Sequence, residues 1–202
     1  MCIRDSLSAD CQGCERCKLA SARHNVVVGR GNRKARALLI GEAPGQQEDE
    51  QGEPFVGRAG QLLEKLLGEA GLDSRRDLYI ANVIKCRPPQ NRKPTRTEIE
   101  RCLPWLHQQL ELVDPPLVVL AGATALQAVL GIKGGISKLR GQWIEQQGRA
   151  YLPIFHPSYL LRFGSRAAGS PQELTLADMQ DCLLYTSPSP RDLSTSRMPS
   201  SA

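Results

Sequence analysis

The stretch ALLIGEAPGQQEDEQGEPFVGRAGQLLEKLLGEAGL, residues 37–72, decides the fold. Ala37 to Ile40 form a short apolar run stopped by Gly41, the pattern of a buried parallel strand that feeds a functional loop. A loop rich in glycine, proline and acids follows. From Arg58 onward, Leu62, Leu63, Leu66 and Leu67 fall on one helical face, which ends near Gly71. The unit is therefore strand, loop, helix.

That unit repeats downstream. Leu78 to Ile84 (LYIANVI) reads as a second strand, with Asn82 an unexpected polar residue near its end. Pro88, Pro89 and Pro94 forbid a regular element in CRPPQNRKP. Thr95 then opens a helix with Glu98 three residues on, a capping-box spacing, followed by apolar Ile99, Cys102, Leu103, Leu106 and Leu110. Pro104 is expected to kink this helix. Leu117 to Ala121 is a third strand, and Gly122 leads into a short helix from Ala123 to Leu130. A glycine-marked basic loop carries Lys133, Lys138 and Arg140, and Tyr151 to Phe155 is a fourth strand ended by HPSYLLR. Strands alternating with helices predict a three-layer α/β/α domain around a mostly parallel four-stranded sheet. In such sheets the carboxyl ends of the strands carry the site. Here they deliver GEAPG, Asn82 and HPS to one edge.

Composition narrows the class. The 202 residues are 41% hydrophobic and 23% charged, with no apolar run near the roughly 20 residues of a membrane span. The formal charge of +5 mildly favours a polyanionic partner. Seven cysteines are an odd count with no apolar leader before them, which points to metal binding in a reducing compartment rather than to disulfides.

The termini are a separate matter. Back-translated codons for Met1 to Asp5 followed by AG, reverse-complemented with a one-base shift, spell the pentapeptide Cys182 to Thr186. An inverted repeat joining two unrelated peptide ends is what a ligated sequencing adapter leaves. Residues 1–6 and 182–202 are therefore read as adapter translation and residues 7–181 as one domain. Cys11, Cys14, Cys17, Cys86 and Cys102 remain. Cys14 and Cys17 form C-x2-C, while Cys86 and Cys102 lie in a Pro-rich loop and on the capped helix. Four thiolates hold either zinc or a 4Fe-4S cluster, and spacing alone does not distinguish them. Cys11 extends the C-x2 run and tilts the reading towards iron.

Together the motifs resemble the family 4 uracil-DNA glycosylases, iron-sulfur enzymes of bacteria and archaea. CERCKL (14–19), GEAPGQQEDEQGEPFVGRAGQLL (41–63), ANVIKCRPPQNRKPTRTEIERCLPWL (81–106), LVVLAG (117–122) and HPSYLLR (156–162) appear in family order. The resemblance implies a uracil-DNA glycosylase-like fold and a DNA repair hydrolase that flips uracil out of DNA and cuts its N-glycosidic bond. It implies Cys14, Cys17, Cys86 and Cys102 as ligands of a 4Fe-4S cluster, with Cys11 surplus. It also implies uracil-containing DNA as partner, no membrane, and a monomer in a prokaryotic cytoplasm.

On that footing each residue takes a role. Gly41, Glu42 and Ala43 line the extruded base, and Phe55 offers the stacking face. Asn82 presents one donor and one acceptor, matching the imide edge of uracil and mismatching cytosine. His156 donates to the uracil carbonyl beside the breaking bond, an oxyanion-hole role. Glu42 orients water and offsets the sugar's positive charge. Glu48 crowds the position of a thymine methyl; the plainer reading of Glu48 and Asp49 is a solvated acidic loop. Ser158 and Arg162 meet phosphate, Leu160 and Leu161 wedge into the vacated stack, and Lys138 and Arg140 add phosphate contacts. His24 and His107 are surface or helix positions. Two alternatives stay open: a non-catalytic iron-sulfur or zinc module on nucleic acid, and a same-fold glycosylase for another deaminated base. Covalent trapping is disfavoured, because the loop KGGISKLRGQ carries no histidine.

Overall fold

The computed structural model describes residues 3–186, with side chains over 7–182. Residues 1, 2 and 187–202, which the sequence reading gives to adapter, lie outside the described residues. Helix α1 (Ile3–Gln12) precedes edge strand β1 (Arg30–Gly31) and strand β2 (Ala37–Gly41). Next come α2 (Gln46–Gln51), α3 (Arg58–Glu69), β3 (Leu78–Asn82) and α4 (Arg96–Val113). Then β4 (Leu117–Ala121), α5 (Ala123–Leu130), α6 (Ile136–Leu139), β5 (Ile144–Gln146), β6 (Arg149–Ile154), α7 (Pro157–Leu160) and α8 (Pro171–Thr186) complete the order.

The sheet runs β1-β3-β2-β4-β6-β5. Its central four strands are parallel and are the four that the sequence predicts. β1 and β5 pair antiparallel at the two edges and make the sheet six-stranded. Every residue of β2, β3 and β4 is buried, as expected for strands covered on both faces.

Side chains alternate between the faces and build two cores. Leu38, Ile40, Ala81, Val118, Leu120 and Tyr151 face a layer formed by α1, α4 and α5. Ala37, Leu39, Ile80, Val119, Leu152 and Ile154 face α3, α7 and α8. Three layers result. Leu63, Leu66 and Leu67 of α3 are buried against the sheet, whereas Leu62 is only partly covered. α8 runs past the expected domain end at Asp181 and sets Cys182, 1% exposed, into the second core.

α4 begins as expected: the Thr95 hydroxyl accepts from the Glu98 amide, and the Glu98 carboxylate accepts from the Thr95 amide. The helix continues through Pro104 to Val113 without a break. Among the described residues no helix is long and apolar enough to cross a membrane.

Candidate active site and cysteine site

Gly41 and Asn82 end β2 and β3 as register partners, and His156 follows β6 by two residues. These carboxyl ends open into a cleft of about 470 Å³ whose wall includes Glu42, Ala43, Glu48, Phe55, Asn82 and His156. Three motifs distant in sequence thus meet in one place.

The cleft is shaped by a missing side chain. A Cβ on Gly41 would stand 2.5 Å from Phe55 Cζ and 2.4 Å from Asn82 Oδ1, so only glycine leaves both groups in position. Phe55 adopts the left-handed region at φ 55°, which a bulky residue enters only when its surroundings force it. Arg30 supplies part of that force, its Nε donating to the Pro54 carbonyl at 2.8 Å. Gly60 supplies more, since a Cβ there would meet the Phe55 carbonyl oxygen at 2.0 Å. The Phe55 ring belongs to the second core and also faces the imidazole of His156, centroids 5.9 Å apart and tilted by 33°.

Asn82 is 2% exposed, and its Oδ1 is a buried acceptor with no hydrogen-bond partner among the described residues. Buried polar groups are nearly always satisfied, so an orphan in a cleft wall marks a place for a ligand donor. His156 is held differently. Its Nδ1 accepts from the Ser158 amide at 3.1 Å and lies 2.7 Å from the Ser158 hydroxyl. With Nδ1 an acceptor, the neutral ring carries its proton on Nε2. Burial lowers the His156 pKa below its ordinary value, with Glu42 and Glu48 pulling the other way. Gly122, at φ 92°, lets the main chain pass close by; a Cβ there would sit 3.0 Å from His156 Cβ.

The three nearby acids have separate tasks. Glu42 accepts a hydrogen bond from the Thr124 hydroxyl at the start of α5. Thr124 was not foreseen from sequence; its only signal is its place two residues after Gly122, which links β4 to α5. Glu48 closes the loop on itself, Oε1 accepting from the amides of Val56 and Gly57 (3.0 and 2.8 Å) and Oε2 from Gly45 (3.1 Å). Asp49 faces the other way, is 1% exposed, and accepts from the amide and ring of His24 and the amide of Asn25. The reading of Glu48 and Asp49 as a solvated acidic loop is therefore corrected.

Two of the proposed DNA contacts also need correction. Leu160 is wholly buried on the inward side of α7 and cannot wedge into a duplex. Leu161, 41% exposed, points outward, as does Phe163 at 40%, a residue the sequence reading passed over. Phe163 ends a ring ladder through Tyr159 to Phe155, with centroid spacings of 4.8 and 5.1 Å. Arg140 is turned inward: its guanidinium pairs with the buried Asp178 carboxylate and donates to the Leu174 carbonyl. Lys138, Ser158 and Arg162 are exposed.

On the other side of β3, Cys11, Cys14, Cys17, Cys86 and Cys102 line one small cavity with Arg16, Arg23, Lys85 and Trp105. Three of the sulfurs receive N–H groups: Cys14 from Trp105 Nε1 (3.3 Å), Cys86 from Arg23 (3.5 Å) and Cys102 from the Lys85 amide (3.3 Å). Arg16 stacks over the Trp105 ring at 4.2 Å. Donors and cations aimed at sulfur suit thiolates better than thiols. Among the described residues no three His, Cys, Asp or Glu side chains gather tightly enough to share one ion.

Sequence comparison adds family context. The model of the uracil DNA glycosylase superfamily matches residues 28–182. The chain is 48% identical over 162 residues to the Type-4 uracil-DNA glycosylase of Thermotoga maritima, covering 79% of this chain and 84% of that protein. It is 41% identical over 165 residues to the Type-4 uracil-DNA glycosylase of Archaeoglobus fulgidus, with 78% and 82% covered. The Type-5 uracil-DNA glycosylase of Thermus thermophilus is 38% identical over 118 residues, about half of each chain (52% and 53%).

Proposed function

This chain belongs to the uracil DNA glycosylase superfamily, and from that premise we propose how its cleft releases uracil from DNA. A base inside a duplex is out of reach, so uracil is extruded into the cleft and stacked on Phe55. The orphan Oδ1 of Asn82 accepts from the uracil N3–H, and the amide nitrogen donates to O4. Cytosine offers the opposite pattern on that edge and would leave the buried oxygen unpaired. This buried, unpartnered oxygen beside Phe55 and His156 is the observation that carries the reading.

Bond breakage moves the electron pair of the glycosidic bond onto the base and leaves positive charge on the sugar. His156, neutral and protonated on Nε2, donates to the carbonyl oxygen where the negative charge collects. Glu42, held by Thr124, offsets the sugar's charge and orients the water that adds to C1′. Glu48, fixed by three amides, stands against a methyl at C5. Outside the cleft, Ser158, Arg162 and Lys138 meet phosphates, and Leu161 fills the stack vacated by the base.

Cys14, Cys17, Cys86 and Cys102 would hold a 4Fe-4S cluster, leaving Cys11 as a buried neighbour. Bound there, the cluster supplies cross-linking rather than redox chemistry: it ties the amino-terminal arm to the Pro-rich loop and to α4.

The test is release of uracil from a labelled oligonucleotide by wild type, His156→Ala and Asn82→Ala. Both variants should lose cleavage and keep DNA binding; unchanged cleavage would remove the residue from the site. An arm with hypoxanthine in place of uracil tests the choice of base. Anaerobically purified protein should be brown with about four irons per chain, and colourless protein with stoichiometric zinc would overturn the cluster.

A further inference from the structure

Lys85 leads the large side chains that are fully buried, at 1% exposure, yet nothing in the chemistry above uses it. Its ammonium donates to two groups, the main-chain carbonyl of Asn82 at 2.7 Å and Oε1 of Gln109 on α4 at 2.5 Å. Neither is an acid, so neutral acceptors hold the buried ammonium. An unpaired buried charge is costly, and an apolar residue of similar volume would fill the space more cheaply. The position therefore calls for what only the ammonium provides.

The network shows what that is. Because Asn82 Oδ1 has no partner, no side-chain bond at that atom holds the amide in register before the base arrives. The main chain must hold it. Lys85 grips that main chain three residues downstream, and its own amide donates to Cys102 Sγ. Gln109 completes the brace from α4, its Nε2 reaching the Val28 carbonyl at 2.8 Å and the Tyr79 hydroxyl at 3.3 Å. We propose that Lys85 is a positioning residue for base recognition, bracing Asn82 against Gln109 and the cysteine-bearing helix so that the recognition amide is preset. The inference rests on the reading of the cleft as the uracil site.

The test compares wild type, Lys85→Met, Gln109→Met and the double variant, each purified anaerobically. Single-turnover cleavage of a uracil oligonucleotide is measured beside iron per chain, visible absorbance, and affinity for DNA carrying a non-cleavable abasic analogue, which presents no base to Asn82. Loss of one hydrogen bond to a buried group predicts a cleavage rate about ten- to a hundredfold lower in Lys85→Met, with iron and abasic-DNA affinity at wild-type levels. The double variant removes both polar partners and should stay slow, because the Asn82 carbonyl still lacks its donor. If Lys85→Met does not accumulate, Gln109→Met keeps the charge beside the sulfurs and should still slow cleavage about three- to tenfold. Wild-type rates in these variants, or loss of iron and abasic-DNA affinity in step with cleavage, would overturn the positioning role. Wild-type protein that releases no uracil overturns the reading of the cleft, and this inference with it.

Discussion

Gly41 and Asn82 are opposed across the β2–β3 ladder, and a Cβ on Gly41 would lie 2.4 Å from Asn82 Oδ1. The glycine therefore leaves the room that the Asn82 amide and the Phe55 ring occupy in the proposed site. Gly41→Ala must displace the Asn82 amide or the Phe55 ring. Cleavage should fall at least about a hundredfold while far-UV circular dichroism stays unchanged. A variant cleaving at wild-type rate would mean that neither group contacts the base.

Burial of His156 predicts a pH response. Its lowered pKa keeps the ring neutral at pH 7, so single-turnover cleavage should be level above that and fall only on acidification. Stability follows the same sign. The unfolded chain takes up a proton as pH falls through about 6.5 while the folded ring resists, so stability present above that pH is lost below it. His156→Gln should flatten that part of the melting curve against pH. An unchanged slope in the variant would assign the effect to another group.

Arg140 and Asp178 form an internal ion pair, and burial raises the Asp178 carboxyl above the usual range despite the guanidinium. Arg140→Met leaves that carboxylate unpaired and should cost about 3 kcal/mol in urea unfolding. The salt dependence of DNA binding should not change. Lys138→Ala, at an exposed position, should do the reverse, reducing the slope of log K against log salt by about one with little loss of stability. The opposite pattern would restore Arg140 as a phosphate contact.

Glu98 caps α4 while accepting two bonds from Arg92, and the pair holds its carboxyl down to about 2. The stabilisation is present above the unfolded carboxyl's pKa near 4.3 and drains away as pH falls from there towards 2. Glu98→Gln should remove that acid-side loss. If stability between those pH values falls as steeply in the variant, the cap does not govern it.

Local pattern made much of this legible. The four parallel strands announced themselves as apolar runs because both their faces are covered, and α4 by a cap whose donors and acceptors lie within one turn. The edge strands β1 and β5 are two and three residues long, too short to show a period, so they escaped notice. Pro104 lies within α4, as its place in the apolar pattern suggested, and the helix runs on to Val113. Leu160 and Leu161 are identical letters side by side, and only the seating of α7 on α3 sends one inward and the other out.

The sequence by itself determined the layered α/β class, the family, the cysteine set and the three motifs that meet at the strand ends, because spacing and residue chemistry are local properties of a chain. Tertiary structure alone decided that Thr124 holds Glu42, that Arg140 turns to Asp178, and that Lys85 lies buried between the sulfurs and Asn82. Those partners are between 3 and 82 residues apart in the chain. A charged side chain looks the same in sequence whether it faces water or a buried acceptor, and only packing determines which it meets.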